Sequence, residues 1–147
     1  FANETGDIRY APLWEENSKS ENGDYICIKY KSVQQADTLW NTLIPMIRLS
    51  EMYLIAAECA ESETEAYGYL NPLRNHRSLE DVSEGLDNHL LKEYTKEFVC
   101  EGQLFFYFKR KNEAKISKGT GTGTFRMSEV QYVLPFPDSE NQYRTIN

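Results

Sequence analysis

The sequence predicts a mainly α-helical fold with irregular loops and a few short strands. Three observations carry that prediction. In the stretch IPMIRLSEMYLIAAECAES, Ile44 to Ser62, residues Met52, Ile55, Ala56 and Cys59 recur at i, i+3, i+4 and i+7, and Tyr53 and Ala60 widen the stripe. Ser62 followed three residues later by Glu65 is the capping-box pattern that opens a second helix. Leu90, Leu91, Tyr94 and Phe98 then line one face of a third.

Taken in order, residues 1 to 24 are polar, are punctuated by Gly6, Pro12 and Gly23, and read as loop and turn. Tyr10 and Trp14 interrupt this segment. In YICIKYK, residues 25 to 31, Ile26, Ile28 and Tyr30 alternate with Cys27, Lys29 and Lys31, which predicts a short half-buried strand. Pro45 ends an extended approach, and the first long helix begins beside it. The second helix is expected from about Glu63 to Arg77, with Pro72 kinking it or marking a boundary near Asn71. So short a link folds the two helices back as an antiparallel hairpin. The third helix is expected to start at Asp87 as N-cap and to be weakened at Gly102. QLFFYFKRK follows, its Lys109, Arg110 and Lys111 placed to complement a helix C-terminus. GTGTGT, residues 119 to 124, lacks the spacing and following Lys of a phosphate loop. Val130, Tyr132, Leu134 and Phe136 alternate as a strand, Pro135 and Pro137 force an extended exit, and Ser139 with Gln142 could cap a single turn. No low-complexity linker divides the 147 residues, so a single domain is expected.

Composition narrows the function. Apolar residues make up 40% and charged residues 27%, a globular balance. A formal net charge of -7 argues against nucleic acid as a partner, because phosphate binding needs clustered cations. No apolar run reaches the length of a membrane-spanning helix. Phe1-Ala2-Asn3-Glu4 is not a signal peptide, and the chain reads as a processed protein or an excised segment. Three cysteines, Cys27, Cys59 and Cys100, show no paired CxxC spacing, which argues against zinc and for free thiols rather than a disulfide. Cys59 and Cys100 fall within helical patterns and read as small buried hydrophobes.

The charges within the first helix pose the main question. Glu51 and Glu58 are seven residues apart, about 10 Å along a helix axis, beyond the spacing of a retaining glycosidase pair. Arg48 and Glu51 are i, i+3 neighbours and can pair. Structural ions are therefore the better reading than catalysis, because a partly buried carboxylate needs such partners. Glu97 and Glu101 have no His, Cys or Asp cluster of ligand spacing nearby, so no metal is expected. His76 and His89 read as solvated surface histidines. No motif of a nucleophilic or zinc hydrolase appears, so neither a catalytic residue nor a cofactor is assigned.

Several pieces, in this order, resemble the C-terminal part of the SusD/RagB family. They are Asp7-Ile8-Arg9 with Lys29-Tyr30, then Ile44 to Leu54 with Ala57-Glu58, similar to the family's IPxIRxxExYLxxAE run. Leu70-Asn71, Arg74 and Arg77 follow. Next come Glu97 to Gly102 with Phe105-Phe106 and Lys109-Arg110, and then Leu134-Pro135-Phe136-Pro137 with Glu140 and Asn147. Leu104 stands where the family usually has an arginine and Tyr107 where it often has an aspartate, which removes a polar contact. The N-terminal half of a usual member, with its lipidated cysteine, is not represented.

The resemblance implies a tetratricopeptide-like helical scaffold under irregular loops, with exposed apolar surface where a partner segment would pack. It also implies a surface-exposed outer-membrane lipoprotein that captures an oligosaccharide or other nutrient and hands it to a SusC-like TonB-dependent transporter, with no reaction catalysed. A helical protein-protein interaction scaffold without its own ligand site is the alternative. Sugar capture needs flat apolar faces with polar tips, and aromatics are 13% of the chain. Tyr53, Phe98, Phe105 and Phe108 are core by periodicity. Tyr10, Trp14 and Trp40 lie in loops, where they either bind a ligand or pack onto the backs of helices.

Overall fold

The computed structural model describes residues 4, 6–19, 24–31, 45–117, 123–134, 137 and 140. Five α-helices and two short antiparallel hairpins make up the described secondary structure, with one 3-10 turn, so the chain is mainly helical as expected. It divides into two compact units, Phe1–Glu101 and Gly102–Asn147.

The first unit begins with α1 (Tyr10–Leu13), which runs directly into β1 (Trp14–Glu16). β1 pairs antiparallel with β2 (Tyr25–Cys27), Trp14 opposite Cys27 and Glu16 opposite Tyr25. The seven-residue strand read from YICIKYK is thus only three residues long. Lys31 N–H returns to the Ile28 carbonyl at 2.9 Å and closes a turn where the alternation continued on paper. Among the described residues no further strand joins this hairpin, and Tyr25 and Ile26 are exposed.

α2 (Leu49–Glu58), α3 (Glu63–Asn75) and α4 (Leu86–Glu97) pack on one another. The short Cys59–Ser62 link folds α3 back along α2, and Ser62 Oγ accepts the Glu65 N–H at 3.2 Å as the cap pattern required. Leu54, Ala57, Ala66, Leu70, Leu73, Leu90, Tyr94 and Phe98 form the core. The buried side of α2 is Ser50, Leu54 and Ala57, not the Met52–Ile55–Ala56–Cys59 stripe. α2 packs on both α3 and α4, so its inner face is set by small residues that admit two neighbours, and Met52 and Cys59 face outward.

α3 continues through Pro72 to Asn75. It ends where Ser78 adopts a left-handed φ of 60° and Leu79 N–H reaches the Arg74 carbonyl at 3.0 Å, the closure that a glycine usually supplies. Asn71 then exchanges two 3.0 Å hydrogen bonds with the Val82 backbone, which fixes the polar segment before α4. The N-cap of α4 lies two residues earlier than expected. Gly85 at φ 69° is the N-cap, and Asp87 sits inside the first turn beside the positive end of the dipole.

In the second unit, α5 (Gln103–Lys111) ends on Lys109, Arg110 and Lys111, as the dipole argument required. Asn112, left-handed at φ 49°, closes it with Glu113 N–H on the Phe108 carbonyl at 3.0 Å. Tyr107, at the departure noted above, is buried, and Arg110 lies 5.6 Å from its ring centre. β3 (Lys115–Ser117) pairs with β4 (Thr124–Arg126). The strand expected at Val130–Phe136 is instead a 3-10 turn, Glu129–Tyr132. Ser128 and Gln131 box its start, and only Tyr132 is buried, donating to the Glu113 carbonyl at 2.8 Å, whereas Val130 and Leu134 are exposed. Phe136, the Ser139–Gln142 turn and most of GTGTGT lie outside the described residues.

Candidate functional site

The N-terminal segment carries the densest chemistry. Gly6 to Arg9 lie against the ends of α3 and α4, and Ile8 N–H donates to the Arg77 carbonyl at 3.2 Å. Arg9 turns back on Asp7, with Nε at 2.9 Å and Nη2 at 2.6 Å from the carboxylate, and its guanidinium also reaches Glu93 at 2.7 Å and Glu97 at 3.2 Å. Lys96 donates to Glu4, Asp7 and Glu93 at 2.5, 3.0 and 3.0 Å, and Arg74 donates to Glu4 and Glu93, both at 3.1 Å. Arg77 is a weaker partner of Glu97 at 3.4 Å, and Ser50 Oγ donates to the same carboxylate at 2.7 Å. Glu4, Asp7, Glu93 and Glu97 thus meet Arg9, Arg74, Arg77 and Lys96, and the charges balance.

Burial makes this balance obligatory. Glu93 is 0% exposed and Asp7 3%. Burial pushes the Asp7 carboxyl up, but Arg9 and Lys96 outweigh it and hold it at about 2. Glu97 follows the same logic: burial raises it, and Ser50, Arg77 and Arg9 bring it below the ordinary carboxylate range. Burial also opposes the charge on Arg9, and Asp7 with Glu93 more than restores it.

A second cluster centres on Glu101. Arg48 grips it with two hydrogen bonds, 2.9 and 2.7 Å, Lys29 approaches to 2.5 Å, and Tyr30 donates at 2.8 Å. Burial raises the Glu101 carboxyl, and Lys29, Tyr30 and Arg48 lower it further than that. Arg48 also lies 5.2 Å from the Phe98 ring centre. Its carboxylate partner is therefore Glu101, which holds α2 to the end of α4, rather than Glu51 one turn along. Glu58 accepts from the Tyr94 hydroxyl at 3.1 Å, another helix-to-helix tie. These charges hold helices together. His76 is exposed as expected, but His89 is half-buried, and burial together with Arg74 and Lys92 lowers its pKa.

Beside these ions opens a cavity of about 600 Å³, lined in part by Arg48, Ser50, Tyr53, His76, Arg77 and Glu97. Arg77 Nε in its wall has no hydrogen-bond partner among the described residues. At the start of α2, Met46, Ile47 and Leu49 are 89%, 77% and 73% exposed and form an apolar run around Arg48. No group of three or more His, Cys, Asp or Glu among the described residues is arranged to hold a metal ion. No described helix is long and apolar enough to cross a membrane.

The aromatic candidates separate. Tyr10 is 43% exposed and stands 6.3 Å from Tyr25, ring centre to ring centre, at 53°. The two side chains share a hydrogen bond, which, with the charge of Glu16, raises the Tyr25 hydroxyl above its ordinary pKa. Trp14 is half-buried on β1, its indole N–H without a partner among the described residues. Trp40 lies outside the described residues. Tyr25 was missed because the hairpin that brings it to Tyr10 is set by β1, which carries no alternating pattern. Glu4 and Lys96 were missed because each looks like a solvated charge until the fold closes over it.

The SusD family model matches residues 6–129. Neither the curated proteins nor the solved structures include a match to the chain. The matched span contains every motif that converges on the two ion clusters: Asp7-Ile8-Arg9, Arg48, Arg74, Arg77, Glu97 and Glu101. The chain belongs to the SusD family, a family of nutrient-binding outer-membrane proteins.

Proposed function

We propose that this protein captures an oligosaccharide or related nutrient at the cell surface, held by a lipid anchor, and delivers it to a SusC-like TonB-dependent transporter. Tyr10, Trp14 and Trp40 are the ring-bearing residues of the ligand site, and Tyr25 joins them. The observation that carries this reading is the exposed Tyr10–Tyr25 pair, neither ring of which belongs to the buried core. A sugar ring stacks on such faces while the hydroxyl tips and neighbouring polar groups bond its own hydroxyls. This reading includes no step of bond cleavage, in keeping with the buried carboxylates Asp7, Glu93 and Glu97, each of which is engaged by a cation.

Isothermal titration of the chain against a panel of oligosaccharides and peptides tests it. Tyr10→Ala is expected to weaken binding of the selected ligand roughly tenfold, the loss of about one stacked ring. Affinity unchanged in Tyr10→Ala, Trp14→Ala and Trp40→Ala alike would remove these residues from the site.

A second reading has its own support. Met46, Ile47 and Leu49 form an exposed apolar run that suits protein docking rather than sugar. In that reading the helices serve as an interaction scaffold, and capture of the transporter would not depend on any ligand.

A further inference from the structure

The turn after β2 is tied to the end of α4 by more than packing. Lys29 donates to the Glu97 carbonyl and pairs with Glu101, both at 2.5 Å, and Tyr30 donates to Glu101 at 2.8 Å. Cys27 lies two residues before Lys29, and Cys100 lies one residue before Glu101. The same docking therefore brings the two free thiols into one neighbourhood, close enough for Cys27 to perturb Cys100. Cys100 sits at a left-handed φ of 63° in the break after α4, with its side chain exposed, while Cys27 is half-buried opposite Trp14. The third cysteine, Cys59, is exposed at the end of α2.

We propose that Cys27 and Cys100 are a disulfide-forming pair that staples the β1–β2 hairpin to the end of α4. Cysteine counting argued for free thiols because an odd number cannot all pair. The fold resolves this by setting Cys59 apart as the odd thiol. The reaction needs a small-molecule disulfide as oxidant. One thiol loses its proton and attacks that disulfide, releasing one small thiol and leaving a mixed disulfide. The second protein thiolate then attacks the protein sulfur of the mixed disulfide and expels the other small thiol. Two protein thiols are oxidised to one disulfide, and one small disulfide is reduced to two thiols. Burial and the contact with Cys27 push the Cys100 thiol up to about 11, so the pair reacts faster as pH rises. Because the closed loop is long, the bond removes much freedom from the unfolded chain. It also locks the segment that carries Tyr10 and Tyr25.

The test is to incubate the reduced, folded chain with oxidised glutathione, alkylate the remaining thiols and map peptides without reduction. A Cys27–Cys100 cross-linked peptide, with alkylation or a single glutathione found only on Cys59, is the expected result, and the oxidised form should melt on the order of 10 °C above the reduced form. A Cys100→Ser variant, checked for native circular dichroism, should instead carry glutathione on Cys27 and lose the redox-dependent shift. Alkylation of all three cysteines after oxidation, or a cross-linked peptide that uses Cys59, would overturn the proposal.

Discussion

Two regions of the first unit use the same chemistry to opposite effect. Around α4, carboxylates and cations are paired in a dry interior, with Glu93 fully buried and served by Arg9, Arg74 and Lys96. On the β1–β2 hairpin, Lys31 and Glu15 also meet, at 2.5 Å, but their side chains are 59% and 47% exposed. Water already solvates the hairpin pair, so its loss costs little. The interior set has no such alternative, and removing one member strands its partners without solvent or counter-charge. The difference teaches that an ion pair matters by its burial rather than by its length.

Glu93→Ala breaks the comparison most severely. It leaves Arg9, Arg74 and Lys96 short of a carboxylate, and a loss of roughly 3–5 kcal/mol is expected in chemical denaturation. Acid probes the same asymmetry without mutation. Asp7, Glu97 and Glu101 are all held below their ordinary values in the folded state. Their contribution is therefore complete above the unfolded carboxylate range and disappears as pH falls toward about 2, where Asp7 titrates. Stability measured from pH 7 downward should stay level to about pH 5 and then fall. Asp7→Asn should flatten part of that acid limb while lowering stability at neutral pH. At the small end, Lys31→Ala should change stability by less than about 1 kcal/mol, and added salt should shrink even that. A loss at Lys31 comparable to that at Glu93 would erase the distinction.

Legibility in the sequence followed how local each signal is. The cap at Ser62, the hairpin of α2 and α3, the Leu90–Tyr94–Phe98 face and the cationic end of α5 depend on residues within a turn or two, and each was readable. The inner face of α2 was misassigned because two neighbours compete for it, and small Ser50 and Ala57 win over larger Met52. Alternation overreached in residues 25–31, of which only Tyr25–Cys27 pair, and failed in 130–134, because a period of two has meaning only over the length that a partner strand receives. The structural role of Arg48 was readable from the cost of burying a charge, but its partner was not. Glu51 is near in sequence, whereas Glu101 becomes near only after α4 docks. The motif residues were legible as the ordered pieces of one family, but their common purpose is visible only where Arg9 and Arg74 meet on Glu93 and Arg9 reaches Glu97.

The anchoring of Asp7 and Arg9 on α4 also sets an order of events during synthesis. The ends joined by Arg9 and Glu97 are separated by 88 positions, whereas α2 and α3 are neighbours along the chain. The helical hairpin can assemble as soon as it leaves the ribosome, but Asp7 and Arg9 must wait, charged and hydrated, for the fourth helix to arrive. Their docking is then a slow, long-range closing event of the first unit, formed after the α2–α3 hairpin.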